Sequence, residues 1–298
     1  MNKFLDVNEL YKRDAKLKKE DVGIIMDWAE KQRHLPKITE LQATLALHSC
    51  FYRVEAAKNC LDSYFTIRTH CPEIFANSNP QKNPPLKTNM NISFLSVLPE
   101  VSPEGYTIFI TRLMDTNPEN YSPVMGHKIF DMVALLQQHT KGPTNGIMVI
   151  MDMKGGVFGH VTKINLSDFK KFMVYLQTAM PIRLMAIHFI NVVPFMDKIL
   201  TLIKPLINKE LFEKLHIHSN NDNLYNFIPR ECMPSDYGGK GEPLAVLNEK
   251  YKQSIYDNQW FFDFQDSMLV DESKRSGPRK NADNLFGFDG TFKKLEVD

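Results

Sequence analysis

Residues 180–218 read MPIRLMAIHFINVVPFMDKILTLIKPLINKELFEKLHIH and contain a change of period around which the whole chain can be arranged. Leu184, Met185, Ala186, Ile187, Phe189 and Ile190 form an apolar run broken only by His188, as in a strand covered on both faces of a parallel sheet. After Asn191 and Pro194 the spacing changes to three and four. Phe195, Ile199, Ile203 and Leu206, flanked by Met196, Leu200 and Ile207, make a wide helical stripe, with Asp197, Lys198, Thr201 and Lys204 on the other face. Residues 215–218 then read as a short strand. A buried strand feeding a broadly apolar helix is either plain core or one wall of a cavity.

Working outward, residues 1–78 read as helical. Val22, Ile25, Met26 and Ala29 give one amphipathic helix before Pro36, Thr39 with Gln42 fits a capping box, and Leu41, Leu45 and Leu47 follow. A longer helix spans residues 53–70 and stops at Pro72. Residues 77–85, rich in Asn, Pro, Gln and Lys, read as a linker. Beyond it strands at 107–113 and 146–153 alternate with helices at 123–139 and from a Ser167 cap to Met180. Such alternation predicts right-handed βαβ crossovers and an α/β fold with a mostly parallel sheet. A helix over 244–258 precedes a polar tail, DESKRSGPRKNADN, that reads as flexible. The expected domains are 1–78, helical; 86–245, the sheet domain; and 246–298, a helix with a flexible tail.

Of the 298 residues, 43% are hydrophobic and 24% charged, a globular composition with ample material for a core. Lys and Arg number 36 against 35 Asp and Glu, so no global field argues for nucleic acid or an anionic surface. No apolar run approaches the ~20 residues that span a bilayer, and the charged N-terminus lacks a signal-peptide core, which leads us to expect a cytoplasmic protein. Cys50, Cys60, Cys71 and Cys232 are too far apart for paired metal ligands and read as reduced thiols.

Catalytic signals are weak. The glycines at 155, 156 and 159 follow a strand, where phosphate loops sit, but neither GxGxxG nor GxxxxGK with a following Ser or Thr is present. Gly238–Gly241 has the same weakness. His216 and His218 share a strand face without a third ligand at a telling spacing, and no paired carboxylates or GxSxG elbow stand out. No catalytic residue, metal or cofactor is therefore assigned. The 15 Met and 20 Phe suggest a soft interior able to repack around a ligand, against the plainer reading of an ordinary core.

GIMVIMDMKG (146–155), MPIRLMAIHFIN, IKPLINKELFEKLHIH and MPSDYGG (233–239) together resemble, in order and spacing, the CRAL-TRIO lipid-binding family. The subgroup resembled is that of alpha-tocopherol transfer protein and cellular retinaldehyde-binding protein, with their insect-type relatives. Residues 41–75 look like that family's N-terminal helical domain, and the likeness covers roughly residues 20–245. It implies a CRAL-TRIO fold: a sheet floor, helices forming a hydrophobic pocket, and a gate over 194–207. Carried across by position, the implied ligand-binding residues are Ile129, Val133, Ile147, Met151, Phe172, Tyr175, Leu176, Met180, Ile182, Leu184 and Ile187, with Phe195, Ile199, Ile203 and Ile207 from the gate. Tyr175 is the implied polar handle, and Gly156, where the tocopherol protein has tryptophan, implies extra room. The family's phosphoinositide patch carries over only in part, to Arg183, Lys214 and, by substitution, Lys209; Met185 and Glu210 replace two basic positions. The resemblance thus implies a monomeric carrier of one lipophilic molecule, peripheral on anionic membranes, without enzyme activity or nucleic-acid partner. The alternative is a phosphoinositide-sensing regulatory or scaffold protein.

Overall fold

The computed structural model describes residues 4–287; the end of the expected flexible tail, 288–298, lies outside them. Five helices open the chain: α1 (Val7–Arg13), α2 (Lys19–Lys31), α3 (Glu40–Ser49), α4 (Val54–His70) and α5 (Pro72–Phe75). The capping box forms as the sequence predicts. Thr39 Oγ1 accepts from the Gln42 amide at 3.2 Å, and Gln42 Oε1 accepts from the Thr39 amide at 2.9 Å.

The next stretch departs from expectation. Residues 77–85 are not a loose linker: Ser78 and Asn79 are buried, the Ser78 amide donating to Asp266 at 3.0 Å and the Asn79 side chain to Asp263 at 3.1 Å. Helix α6 (Pro84–Ile92) runs directly into β1 (Ser93–Val101), two elements that the local pattern did not reveal. The strand buries Phe94 and Leu98 in one cluster and Leu95 in the other, and Pro99 falls where its pairing shifts register, so the missing N–H is tolerated.

The remaining elements are β2 (Tyr106–Leu113), α7 (Pro123–Lys141), β3 (Gly146–Asp152), α8 (Phe158–Thr162), α9 (Leu166–Thr178), β4 (Leu184–Ile190), α10 (Met196–Ile203), α11 (Lys209–Glu213), β5 (Leu215–Ile217), α12 (Leu244–Asp257), α13 (Gln259–Ser267) and α14 (Ala282–Phe286). The cap of α9 is Asn165, whose side chain accepts from the amides of Ser167 and Asp168, rather than Ser167 itself. The sheet order is β1-β2-β3-β4-β5, with β1 antiparallel to β2 and all other pairs parallel. Each face is covered. Phe109, Ile147, Val149 and Leu184 join α7, α9 and the N-terminal helices in a large core; Ile108, Ile110, Met148, Ile150 and Ala186 pack on α12 and on Leu224, Ile228 and Met233.

The MPSDYGG stretch closes the second core. Gly238 has φ of 74°, and a Cβ on Gly239 would run into the carbonyl oxygens of Met233 and Arg230. Gly239→Ala is expected to cost about 1–3 kcal/mol through this overpacking. The check is the urea midpoint, and an unchanged midpoint would remove the turn from any structural role.

The tail also corrects the sequence reading. Instead of being flexible, residues 268–286 strap across the N-terminal helices, with Met268, Val270 and Phe286 buried. Arg275 Nη1 donates to Asp62 at 2.8 Å, Lys280 Nζ reaches the same carboxylate, and His34 Nε2 lies 2.7 Å from it. Burial alone would raise the Asp62 acid, but bonds from Lys280, His34 and Arg275 hold it down at about 2. A charged, Gly-containing segment looks solvated when its partners lie two hundred positions away.

Candidate functional site

The large core is where most of the sequence-derived candidates meet. Ile129 and Val133 of α7, Ile147 of β3, Phe172 and Tyr175 of α9, Met180 and Ile182 of the following turn, and Leu184 of β4 are all buried in it. Leu176, Ile187 and Ile207 pack against it half-buried. Val149, missed earlier, lies on the same face of β3 between Ile147 and Met151, as the period of two requires.

Met151, Phe195, Ile199 and Ile203 fall outside that cluster. Met151 is 38% exposed near the C-terminal end of β3. Exposed Met114 follows β2, Val157 and Phe158 belong to the loop and helix after β3, and exposed Leu166 opens α9. Apolar side chains in these positions give an open hydrophobic rim at the carboxyl ends of the parallel strands, where α/β folds take ligands.

Helix α10 stands at this rim. Only Met196 and Ile203 are buried; Ile199, Leu200 and Leu202 are half-exposed, so its stripe is wider than its contacts. Phe195 meets Phe158 edge-on, with ring centroids 5.7 Å apart. The segment is anchored at both ends. Asn191, at φ 48°, donates to Asp152 at 2.7 Å, and the Asn208 amide donates to Gln177 Oε1 of α9 at 2.7 Å.

Tyr175 does not supply a free polar handle. Its hydroxyl donates to Asp131 Oδ1 at 2.6 Å, and Asp131 Oδ2 accepts from Arg68 Nη1 at 2.6 Å, forming a buried triad among α9, α7 and α4. Among the described residues of α7, buried polar atoms without a hydrogen-bond partner are His127 Nδ1, Gln138 Oε1 and His139 Nε2, and of these His127 lies beside the candidate Phe172. The His127 ring stacks on Phe172, with centroids 4.2 Å apart and planes 8° from parallel. Burial pushes the imidazole down to about 4, so it is neutral at pH 7 and offers one N–H and one lone pair. The sequence signal was available: His127 lies three residues after Val124, on the apolar stripe of α7. Gly156 gives no extra room, because a Cβ there would meet Met153 O at 3.0 Å and Val193 Cγ1 at 3.3 Å.

The basic residues are largely engaged. Arg183 Nε donates to His48 O at 2.7 Å, and its guanidinium lies 4.4 Å and 4.9 Å from the ring centres of Phe51 and Tyr52. Lys214 pairs with Glu210 at 2.9 Å and Lys209 with Glu213 at 3.6 Å, each one helical turn apart. Arg183, Lys214 and Arg53 line a groove of about 440 Å³ between the N-terminal helices and the end of α9, into which Glu210 also projects.

On the opposite sheet face His188 stacks between His216 and His218, its Nδ1 2.9 Å from His218 Nε2. Near-parallel rings do not converge on an ion, and among the described residues no group of three His, Cys, Asp or Glu could hold a metal. Nor, among them, is any helix long and apolar enough to cross a membrane.

The family model for the CRAL/TRIO domain matches residues 93–239, the whole sheet and α10. This chain carries a CRAL/TRIO domain. A second model, "Pinta-like, UBA domain", matches residues 14–84. The chain is 29% identical over 197 residues to mouse alpha-tocopherol transfer protein-like, a match covering 65% of this chain and 56% of the relative. It is 24% identical to Clavesin-1 of Xenopus laevis, covering 66% of this chain and 59% of that one, and 22% identical to mouse Clavesin-2, covering 77% and 71%. The chain thus spans little more than half the length of the first of these relatives. A solved structure, "Crystal structure of Sfh5", superposes over 83% of this chain and 95% of its own, at 17% identity and a TM-score of 0.45. A superposition that loose speaks to neither function nor ligand.

Proposed function

We propose that the protein is a carrier that takes one lipophilic molecule, such as a retinoid, tocopherol or carotenoid, in among the apolar side chains of β3, β4, α7 and α9, and transfers it between membranes. The observation that carries this reading is α10: an apolar helix, tethered at both ends but only partly packed, beside an exposed hydrophobic rim. The CRAL/TRIO domain and the similarity to alpha-tocopherol transfer protein-like sequences support the same class. A ligand burying about 400 Å² of apolar surface would gain ~10 kcal/mol before association costs, enough for retention without chemistry. His127, neutral and with its Nδ1 unpartnered, is a group suited to a ligand hydroxyl or carbonyl.

Uptake of a fluorescent tocopherol or retinoid analogue tests the proposal. Ile203→Asp places a carboxylate on the inner face of α10, and uptake is expected to fall by about tenfold or more, since an unpaired charge resists desolvation. Ile199→Asp, at a half-exposed position, is the companion that spares the fold. Unchanged uptake in both variants, with unchanged circular dichroism, would show that α10 is not the gate.

A phosphoinositide sensor draws less support. Arg183 is occupied by His48 and two aromatic rings, and Lys209 and Lys214 have carboxylate partners.

A further inference from the structure

Cys50 and Cys60 meet at the groove between the N-terminal helices and α9. Cys50 caps the C-terminus of α3 and Cys60 lies in the second turn of α4, and both line the same groove. The connecting residues Phe51 and Tyr52 have φ of 53° and 63°, a left-handed pair without glycine that turns α4 back against α3, so that both cysteines face one groove. The two differ in access. Cys50 is half-exposed, whereas Cys60 is buried, with its thiol donating to Ala179 O at 3.2 Å.

We propose that Cys50 and Cys60 form a peroxide-sensitive dithiol, with Cys50 the attacking sulfur and Cys60 the resolving one. The Cys50 thiolate attacks the outer oxygen of a hydroperoxide; an S–O bond forms, the O–O bond breaks, and the alcohol or water leaves after taking up a proton. The Cys60 sulfur then attacks Cys50, the S–S bond forms, and the sulfenic oxygen departs as water with the Cys60 proton. The two thiols lose two electrons to the peroxide.

The electrostatics suit these roles. The neighbouring Cys60 thiol lowers the Cys50 thiol to about 7 against the effect of burial, with Ser49, Arg53 and Arg183 assisting. The nearness of Cys50, together with burial, pushes Cys60 well up. The other thiols contrast: Cys71 is fully buried and pushed up to about 12, and burial raises Cys232. A low-pKa accessible thiol beside a second cysteine is the pattern that reacts selectively with peroxides.

The test is titration of the purified full chain with hydrogen peroxide, read by intact mass and peptide mapping. The expected result is loss of two hydrogen atoms, a Cys50–Cys60 linked peptide, and reversal by dithiothreitol. Cys60→Ala should instead gain one oxygen at Cys50, trapped by dimedone. Iodoacetamide at pH 7 should alkylate Cys50 about tenfold faster than Cys232. Oxidation of Cys71 or Cys232 before Cys50, or Cys50 passing to sulfinic acid while Cys60 stays a thiol, would overturn the proposal. None of these readouts depends on lipid binding.

Discussion

Asp131→Ala should lower the stability of the folded chain by about 3–5 kcal/mol, because it strips the buried Arg68 guanidinium of its counter-charge. The side chains of Arg68 and Asp131 are 4% and 3% exposed, and their 2.6 Å contact is shared with the Tyr175 hydroxyl. Desolvation opposes charge on Arg68, and Asp131 is what raises its pKa well above the ordinary value. The triad joins the N-terminal α4 to α7 and α9, so its loss loosens the seam between the helical region and the sheet. Guanidinium denaturation followed by tryptophan fluorescence reads the effect. The double variant Arg68→Met with Asp131→Leu should recover most of the loss, since an apolar pair leaves no charge stranded. A single variant with an unchanged midpoint would mean that solvent reaches the pair.

Acidification should have the second large effect. Burial pushes His48, His127 and His139 each down to about 4, and His188 down to about 3 with help from His216 and His218. A buried histidine that resists its proton in the folded state accepts one near pH 6.5 once unfolded. Its stabilising contribution is complete above that pH and is lost as pH falls toward the folded value. By pH 5 each such histidine would cost roughly 2 kcal/mol, and four together approach the whole stability of a typical domain. The denaturant midpoint is therefore expected to drop steeply between pH 7 and 5. A flat profile over that range would show that these histidines are protonated, or hydrated, in the folded state.

The parallel sheet was legible because β3 and β4 are covered on both faces and read as apolar runs. The capping box at Thr39 was legible because it is a local device. β1 was not, since its partners lie in β2 and its serines, proline and glutamate dilute the pattern. The docked tail was illegible for a related reason: Arg275 and Lys280 find Asp62 only through the fold. Among site residues, periodicity and resemblance together brought Ile129, Val133, Phe172 and Leu184 into one cluster. They could not show that Tyr175 is spent on Asp131, because Asp131 and Arg68 come from two other helices. His127 was overlooked as a polar residue on an apolar stripe, which is where an unpartnered polar group carries most information about a ligand.

The central claim, that this chain holds a lipophilic molecule behind α10, is tested most directly by extracting the purified protein with organic solvent and analysing the extract by mass spectrometry. The account predicts a hydroxyl- or carbonyl-bearing lipid, recovered at up to one molecule per chain and lost from Ile203→Asp. An extract without lipid, from a protein that also takes up neither retinoid nor tocopherol analogue, would contradict it.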